Sequence, residues 1–299
     1  MSSSGKKTSM GDSQSRLHLV IPRLSDPRVT LATALTLYTL LGQSVFFFNR
    51  DPREIVAAVA VACGLDMLLA LVLHRQLLLP PLSAYITGLA IGILLESFAL
   101  KVFVIASAWS VVSKYLLRDR ERHFFNPSNF GVVAAIALSH GTAMVAPASQ
   151  WGADPRLALF VIAVGLMMNR RVNRLDLALA WIGGYLAMGC IRMLVGQGGL
   201  VFVLGPMTGA EFALFTFSMM PDPKTSPPTR RGRIVWGLLI AVVDGVLRLL
   251  EIRYSMFFAL FALCALLPIF RTVASATGAK ESDPWRVLDR ALGSGATRS

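Results

Sequence analysis

Apolar runs separated by short, basic, turn-rich connections leave this chain few ways to fold. Ten such runs can be marked: 29–48, 55–73, 82–97, 102–117, 130–146, 157–168, 175–195, 207–220, 234–250 and 256–270. Several are short of the length of about 20 residues that carries a helix across a hydrocarbon core of roughly 30 Å, notably the sixth, so the count is ten or, without it, nine. Only 15% of residues are charged, against about 25% in a soluble domain. The reading is an all-α polytopic membrane protein of about ten transmembrane helices. Residues 29–271 form the membrane domain, with tails at 1–28 and 272–299.

Charge placement tests that count. With the N-terminus inside, 21 of the 29 basic residues fall on the cytoplasmic side and 7 on the other, while Lys114 lies within the fourth run. This positive-inside bias places both termini in the cytoplasm, and the expected location is a bacterial cytoplasmic (inner) membrane. The net charge of +12 sits in loops without interleaved aromatics, so it orients the chain and does not bind nucleic acid. The polar N-terminal stretch is not a signal peptide, and its GKKTS lacks the glycine and strand of a phosphate loop. Cys63, Cys190 and Cys264 lie in apolar runs without metal-ligand spacing, so no metal site is expected.

The eighth run stands apart. At 14 residues it spans about 21 Å as a helix, opens beside Gly205-Pro206, and carries Thr208, Glu211 and Ser218 at helical spacing. Broken, polar backbone at membrane depth is tolerated only where protein or water covers it, so this run is expected to line an internal site. The third run matches it: Thr87-Gly88 aligns with Thr208-Gly209, and the pairs Gly88/Gly92 and Gly205/Gly209 both have small-xxx-small spacing. Five runs per half insert with opposite orientation, which makes two inverted five-helix halves with a central site between the short segments. For the glycines, simple close packing of helices is the competing reading.

Ionisable residues inside apolar runs mark function by default. Asp66, Glu96, Lys114 and Asp244 are candidates for an ion or proton pathway, and Glu211 for the central site. A structural ion pair, for example Lys114 with Asp244, is the alternative. Two loops also stand out, HFFNPSNFG at 123–131 and PDPKTSPPT at 221–229. Asn126-Pro127 and Asp222-Pro223 form turns, and Ser128 or Asn129 can cap the next helix, leaving N–H groups for an anionic or carbonyl-rich ligand. A capped loop with no ligand satisfies the same pattern.

FFNPSNFGVVAAIAL, MMPDPKTSPPTRRGR and LSAYITGLAIGILL together resemble motifs of the Rnf D-subunit and Nqr B-subunit family of membrane redox complexes. The resemblance covers residues 29–271 and is closest to stand-alone relatives found near enediyne-type biosynthetic genes. It implies ten helices in two inverted halves, a fold shared with urea transporters, bound flavin, and electron transfer coupled to ion movement. A non-covalent flavin (FMN or riboflavin) is then expected on Thr87, Gly88, Thr208, Gly209 and Glu211, with Asn126, Pro127, Ser128, Asp222, Thr225 and Ser226 at its rim. The implied partner is a protein redox partner or membrane complex. The family's covalent-flavin threonine motif is missing from the outer loops, and Ser294-Gly295-Ala296-Thr297 in the tail is a coincidental match. A small-solute transporter and a membrane anchor for a biosynthetic assembly are the alternatives.

Overall fold

A computed structural model describes residues 18–276 apart from 24, 47, 49, 120–121 and 147–154. The tails and Thr297 therefore lie outside the described residues, apart from the last residues of the N-terminal tail and the first of the C-terminal one. The chain is mostly helical. The first half holds α1 (Pro27–Ser44), α2 (Pro52–His74), α3 (Leu82–Leu94), α4 (Leu100–Leu116) and α5 (Pro127–Leu138). In the second half, α6 (Pro155–Arg171) and α7 (Leu175–Leu194) come first. A broken segment follows, made of α8 (Leu200–Leu204) with a 3-10 turn over Gly205–Thr208, and α9 (Ala210–Leu214) with a π turn over Phe215–Met219. Helices α10 (Arg230–Leu249) and α11 (Ser255–Ala276) complete it.

Local chemistry sets several of these boundaries. Asp26, Asp51 and Asn126 each precede a proline and accept a hydrogen bond from a first-turn backbone N–H, at 2.9, 2.8 and 3.1 Å. An Asx cap followed by Pro at the first helical position starts a helix at both its orphan N–H groups and its fixed φ. This is why α5 begins at Pro127, three residues earlier than the expected 130. It also ends early, at Leu138 instead of 146. Met144–Val145 pairs with Leu95–Glu96 as a short antiparallel ladder, which likewise ends the third run as a helix at Leu94. Helix α6 is longer than the run 157–168, and α8 forms where the sequence suggested only loop.

Helices α2 and α7 are each long and apolar enough to cross a membrane, and the pair 200–208 with 211–219, bent by 70°, counts as a third if taken as one span. Their outward surface suits lipid: Val56, Leu68 and Val72 on α2, and Leu194, Val201 and Phe202 around α7–α8, are all exposed. Patches of this size on a soluble protein would drive association.

The packing repeats. In the first half α2 packs on α3 and α4, α4 on α5, and α1 on α3; in the second α7 packs on α10, α10 on α11, and α6 on α9. Contacts between halves join α1 to α6, α3 to α9 and α5 to α11. Each of these joins an element to its own counterpart, the pattern a two-fold relation produces.

The two glycine pairs do different work. A Cβ on Gly88 would stand 2.6 Å from the Val59 Cα, and one on Gly92 2.9 Å from the Ile55 Cα. Those glycines let α3 lie against α2. Gly205 meets nothing within 4 Å, and Gly209 sits at the bend beneath the Glu211 carboxylate. The parallel spacing in the sequence thus conceals a packing pair in one half and a hinge in the other.

Candidate functional site

Three of the segments singled out above meet across one cavity of about 440 Å³. Its walls are the first turns of α1, α3 and α5, the end of α6, and the chain from Phe217 through Lys224. Thr87, Asn126, Pro127, Ser128 and Asp222 all line it. Asn126 fixes the junction between the halves. Its Oδ1 caps the Asn129 N–H, while its Nδ2 donates to the Met219 carbonyl at 3.2 Å and more weakly to Asp222 Oδ2 at 3.4 Å. The neighbouring Asn129 donates to the Phe257 carbonyl at 3.2 Å, tying α5 to α11.

The loop after the π turn is braced from both sides. The Asp222 carbonyl accepts from the Thr225 N–H (3.1 Å), the Ser226 N–H (3.0 Å) and the Ser226 hydroxyl (2.8 Å). Arg174 donates to the Pro227 carbonyl. Arg233 donates to the Pro228 carbonyl at 2.5 Å and clamps Asp176 at 2.7 Å. Thr225 and Ser226 are therefore buried supports of the loop and do not line the cavity.

The remaining expected site residues lie elsewhere. Gly88 is taken up by helix packing. Thr208 is exposed and donates to the Gly205 carbonyl at 2.7 Å. The bend at Gly209 removes Thr208 from the face of Ser218, so only Ser218 of that expected stripe reaches the cavity. Glu211 lies at the start of α9, six residues before Phe217, with its carboxylate turned back over Gly209. Its Oε2 is buried with no hydrogen-bond partner.

The buried charges pair within each half, and Lys114 does not meet Asp244. Lys114 donates to Asp66 Oδ1 at 2.8 Å, and the Tyr115 hydroxyl donates to the same oxygen at 2.9 Å. Asp244 accepts from Arg248 at 2.8 Å and from the Ser255 hydroxyl at 2.5 Å. Glu96 is half-buried on the short ladder, near Arg50. That arginine donates to the Gly92 carbonyl at 2.5 Å and to the Leu95 carbonyl, covering the end of α3. The four groups named for an ion pathway do not form one file.

Several lining residues carried no clear mark in the sequence. Asn169 is 0% exposed; its Nδ2 donates to the Gly165 and Phe217 carbonyls at 2.9 and 3.0 Å, and its Oδ1 has no partner. An unsatisfied buried acceptor on a cavity wall is costly unless a ligand or water completes it. In sequence it is one polar residue before Arg170 and Arg171, indistinguishable from a helix end. His123 and Lys224 sit inside the two conspicuous loops but have no motif of their own. Burial lowers the His123 pKa below its usual value, with Lys224 and Lys114 adding to the effect and Asp222 opposing it.

Deeper along α9, aromatic side chains fill the centre. Trp181 is fully buried, donates to the Thr216 hydroxyl at 2.9 Å, and stands 5.1 and 5.9 Å from the Phe215 and Phe212 rings. Tyr185 and Phe257 extend the layer. A second, apolar cavity lined by Tyr38, Phe160, Val164 and Leu214 adjoins the first and shares Leu31, Met168, Phe217 and Ser218 with it.

No family model matches the chain, and no curated protein matches it in sequence.

Proposed function

We propose that this is a bacterial inner-membrane protein of about ten spans in two inverted halves. It holds a flavin non-covalently in the 440 Å³ cavity and relays electrons to a membrane partner protein. The observation that carries this reading is the meeting of the Asn126-Pro127-Ser128 and Asp222-Pro223 turns, 96 residues apart, across a single cavity joined by Asn126. These are the same turns that carry the resemblance to the Rnf and Nqr subunits.

The residues present fit such a group. The volume lies within the range of about 300–1,000 Å³ typical of small-molecule sites. Leu31, Ile86, Met168 and Phe217 offer apolar faces for a flat ring. The orphaned Asn169 Oδ1 supplies an acceptor for a ring-edge N–H. At the start of α5, Pro127 has no N–H and the Asn129 and Phe130 N–H groups bond to Asn126, which leaves the Ser128 N–H to donate to a ring carbonyl. A bound flavin would contribute one- and two-electron transfer, while the protein contributes placement, exclusion of water and tuning of potential.

The absorbance spectrum of detergent-purified protein, before and after acid precipitation, tests this directly. The expected result is flavin absorbance that moves to the supernatant, and that is weakened by Asn169→Leu without loss of the folded protein. A colourless, folded sample that fails to quench the fluorescence of added riboflavin would overturn it.

A further inference from the structure

His123 stands in the connection between α4 and α5, three residues before Asn126, and is 7% exposed. It borders two spaces, the 440 Å³ cavity and a smaller one of about 250 Å³ beside it. Two local contacts hold it there. Arg118–Asp119 pairs antiparallel with Arg122–His123, which sets His123 opposite Arg118. The ring Nδ1 lies 2.8 Å from the Phe125 carbonyl oxygen. A carbonyl only accepts, so Nδ1 carries the hydrogen, and the neutral ring keeps its lone pair on Nε2. Among the described residues no group bonds to Nε2. A nearly buried ring whose acceptor meets no protein donor is completed by water or by a bound molecule.

The surroundings keep that ring neutral near pH 7. Burial weighs most against the imidazolium, and Lys224 and Lys114 add to it, while Asp222 and the Phe125 carbonyl act the other way. The carboxylates nearby are already engaged. Asp222 accepts from the Lys224 N–H at 3.0 Å and more weakly from Asn126 at 3.4 Å. Asp66 on α2 holds Lys114 at 2.8 Å, and Asp26 before α1 holds Arg28 at 2.6 Å. His74 at the end of α2, Tyr115 on α4 and Arg118 complete the ionisable groups that line the two spaces among the described residues.

The larger cavity therefore offers two acceptors that no protein donor satisfies, Asn169 Oδ1 and His123 Nε2. An oxidised isoalloxazine has a single ring N–H to give, and Asn169 takes it. A second donor has to come from a hydroxyl-bearing arm. We infer that His123 is a ligand-binding residue of the larger cavity, whose neutral imidazole accepts through Nε2 from a hydroxyl of the ligand's polyol arm. This role rests on a flavin occupying the cavity and adds two properties to it. The site selects a flavin with a hydroxylated side chain over the bare ring. Its affinity also depends on pH, because an imidazolium has a hydrogen on both nitrogens and cannot accept. Affinity should fall as His123 is protonated, which burial places below the ordinary value of 6.5, and a ligand held by the neutral ring should lower that pKa further.

The test uses the full-length protein in detergent, titrated at pH 7.5 and pH 5 with riboflavin and with lumiflavin, the same ring carrying a methyl group in place of the polyol arm. The expected result at pH 7.5 is riboflavin bound about tenfold tighter than lumiflavin, the size of one well-placed hydrogen bond. That preference should shrink at pH 5. His123→Leu should remove it at both pH values, while His123→Gln, whose amide oxygen still accepts, should keep much of it at both. Nitrogen-15 spectra of histidine-labelled protein, with His123→Gln identifying the signal, should show the Nδ1–H tautomer at pH 7.5 and a lower pKa with riboflavin bound than with lumiflavin. Equal affinities for the two flavins in the unaltered protein at pH 7.5, or a preference that survives His123→Leu, would overturn the role of His123 and leave the flavin reading standing. A folded protein that binds neither flavin at either pH would overturn both.

Discussion

The two halves of the molecule, residues 27–138 and 155–276, repeat one packing scheme but spend it differently. In the first half the short segment α3 is straight, lies hard against α2 through Gly88 and Gly92, and presents its N-terminal turn to the cavity. In the second half its counterpart is bent by 70° and ends in a π turn whose last residues form the opposite wall. The buried charges diverge in the same way. Asp66 and Lys114, paired with each other, line a smaller cavity of about 250 Å³, whereas Asp244 is closed off by Arg248 and Ser255. The two halves thus share a packing scheme, and each supplies one wall of the cavity.

Substitutions that treat equivalent positions alike should expose this difference. The largest effect is expected from Arg248→Met, which leaves the Asp244 carboxylate buried with only Ser255. Breaking one partner of a buried pair costs about 3–5 kcal/mol. Lys114→Met should cost less, because Asp66 keeps the Tyr115 hydroxyl and borders a chamber that admits water. Melting temperatures in detergent rank the pair, and a larger loss for Lys114→Met would break the comparison. Next in size is Gly88→Val, whose Cβ meets the α2 backbone and should cost about 3 kcal/mol. Gly205→Ala, with open space around it, should stay within about 0.5 kcal/mol.

Asn126→Ala should cost about 2 kcal/mol, from the lost cap and the lost bond to Met219. It should also weaken riboflavin binding, which separates it from a purely structural change such as Gly88→Val. The smallest effect concerns pH. His123 has a depressed pKa in the folded protein, held down chiefly by burial. Its contribution is therefore complete above the unfolded value of 6.5 and is lost as pH falls below it. Melting temperature should decline from pH 7 to 5, and His123→Gln should flatten that decline.

Much of this arrangement was legible in the residues. The Asx-Pro starts, the turn chemistry of both loops and the oddness of the eighth segment all rest on local physics, and all mark real structural boundaries. Segment ends were less legible where tertiary pairing decided them, as with Met144–Val145 joining Leu95–Glu96. Spacing alone could not show that Gly88/Gly92 and Gly205/Gly209 have different neighbours. Nor could it show that Lys114 meets Asp66 and not Asp244, since both are apolar-run charges of the same kind. Asn169, Arg28 and Lys224 were hidden for a third reason. Basic and amide residues at helix ends are expected for topology alone, and only the fold shows which of them border a cavity. Arg174 and Arg233 illustrate the same point: counted as orienting charges, they are the straps of the 226–228 turn.

The link through Asn126 has a consequence for how the protein is made. One wall of the recess belongs to residues 26–128, and the other to residues 168–224. Synthesis runs from the N-terminus, so the first five helices are made with an unfinished pocket whose asparagine has no distant partner yet. The recess exists only after the ninth helical piece has been released and has closed over it. Any ligand held across the recess would therefore be captured only once both halves have been made and docked, and would report that they have.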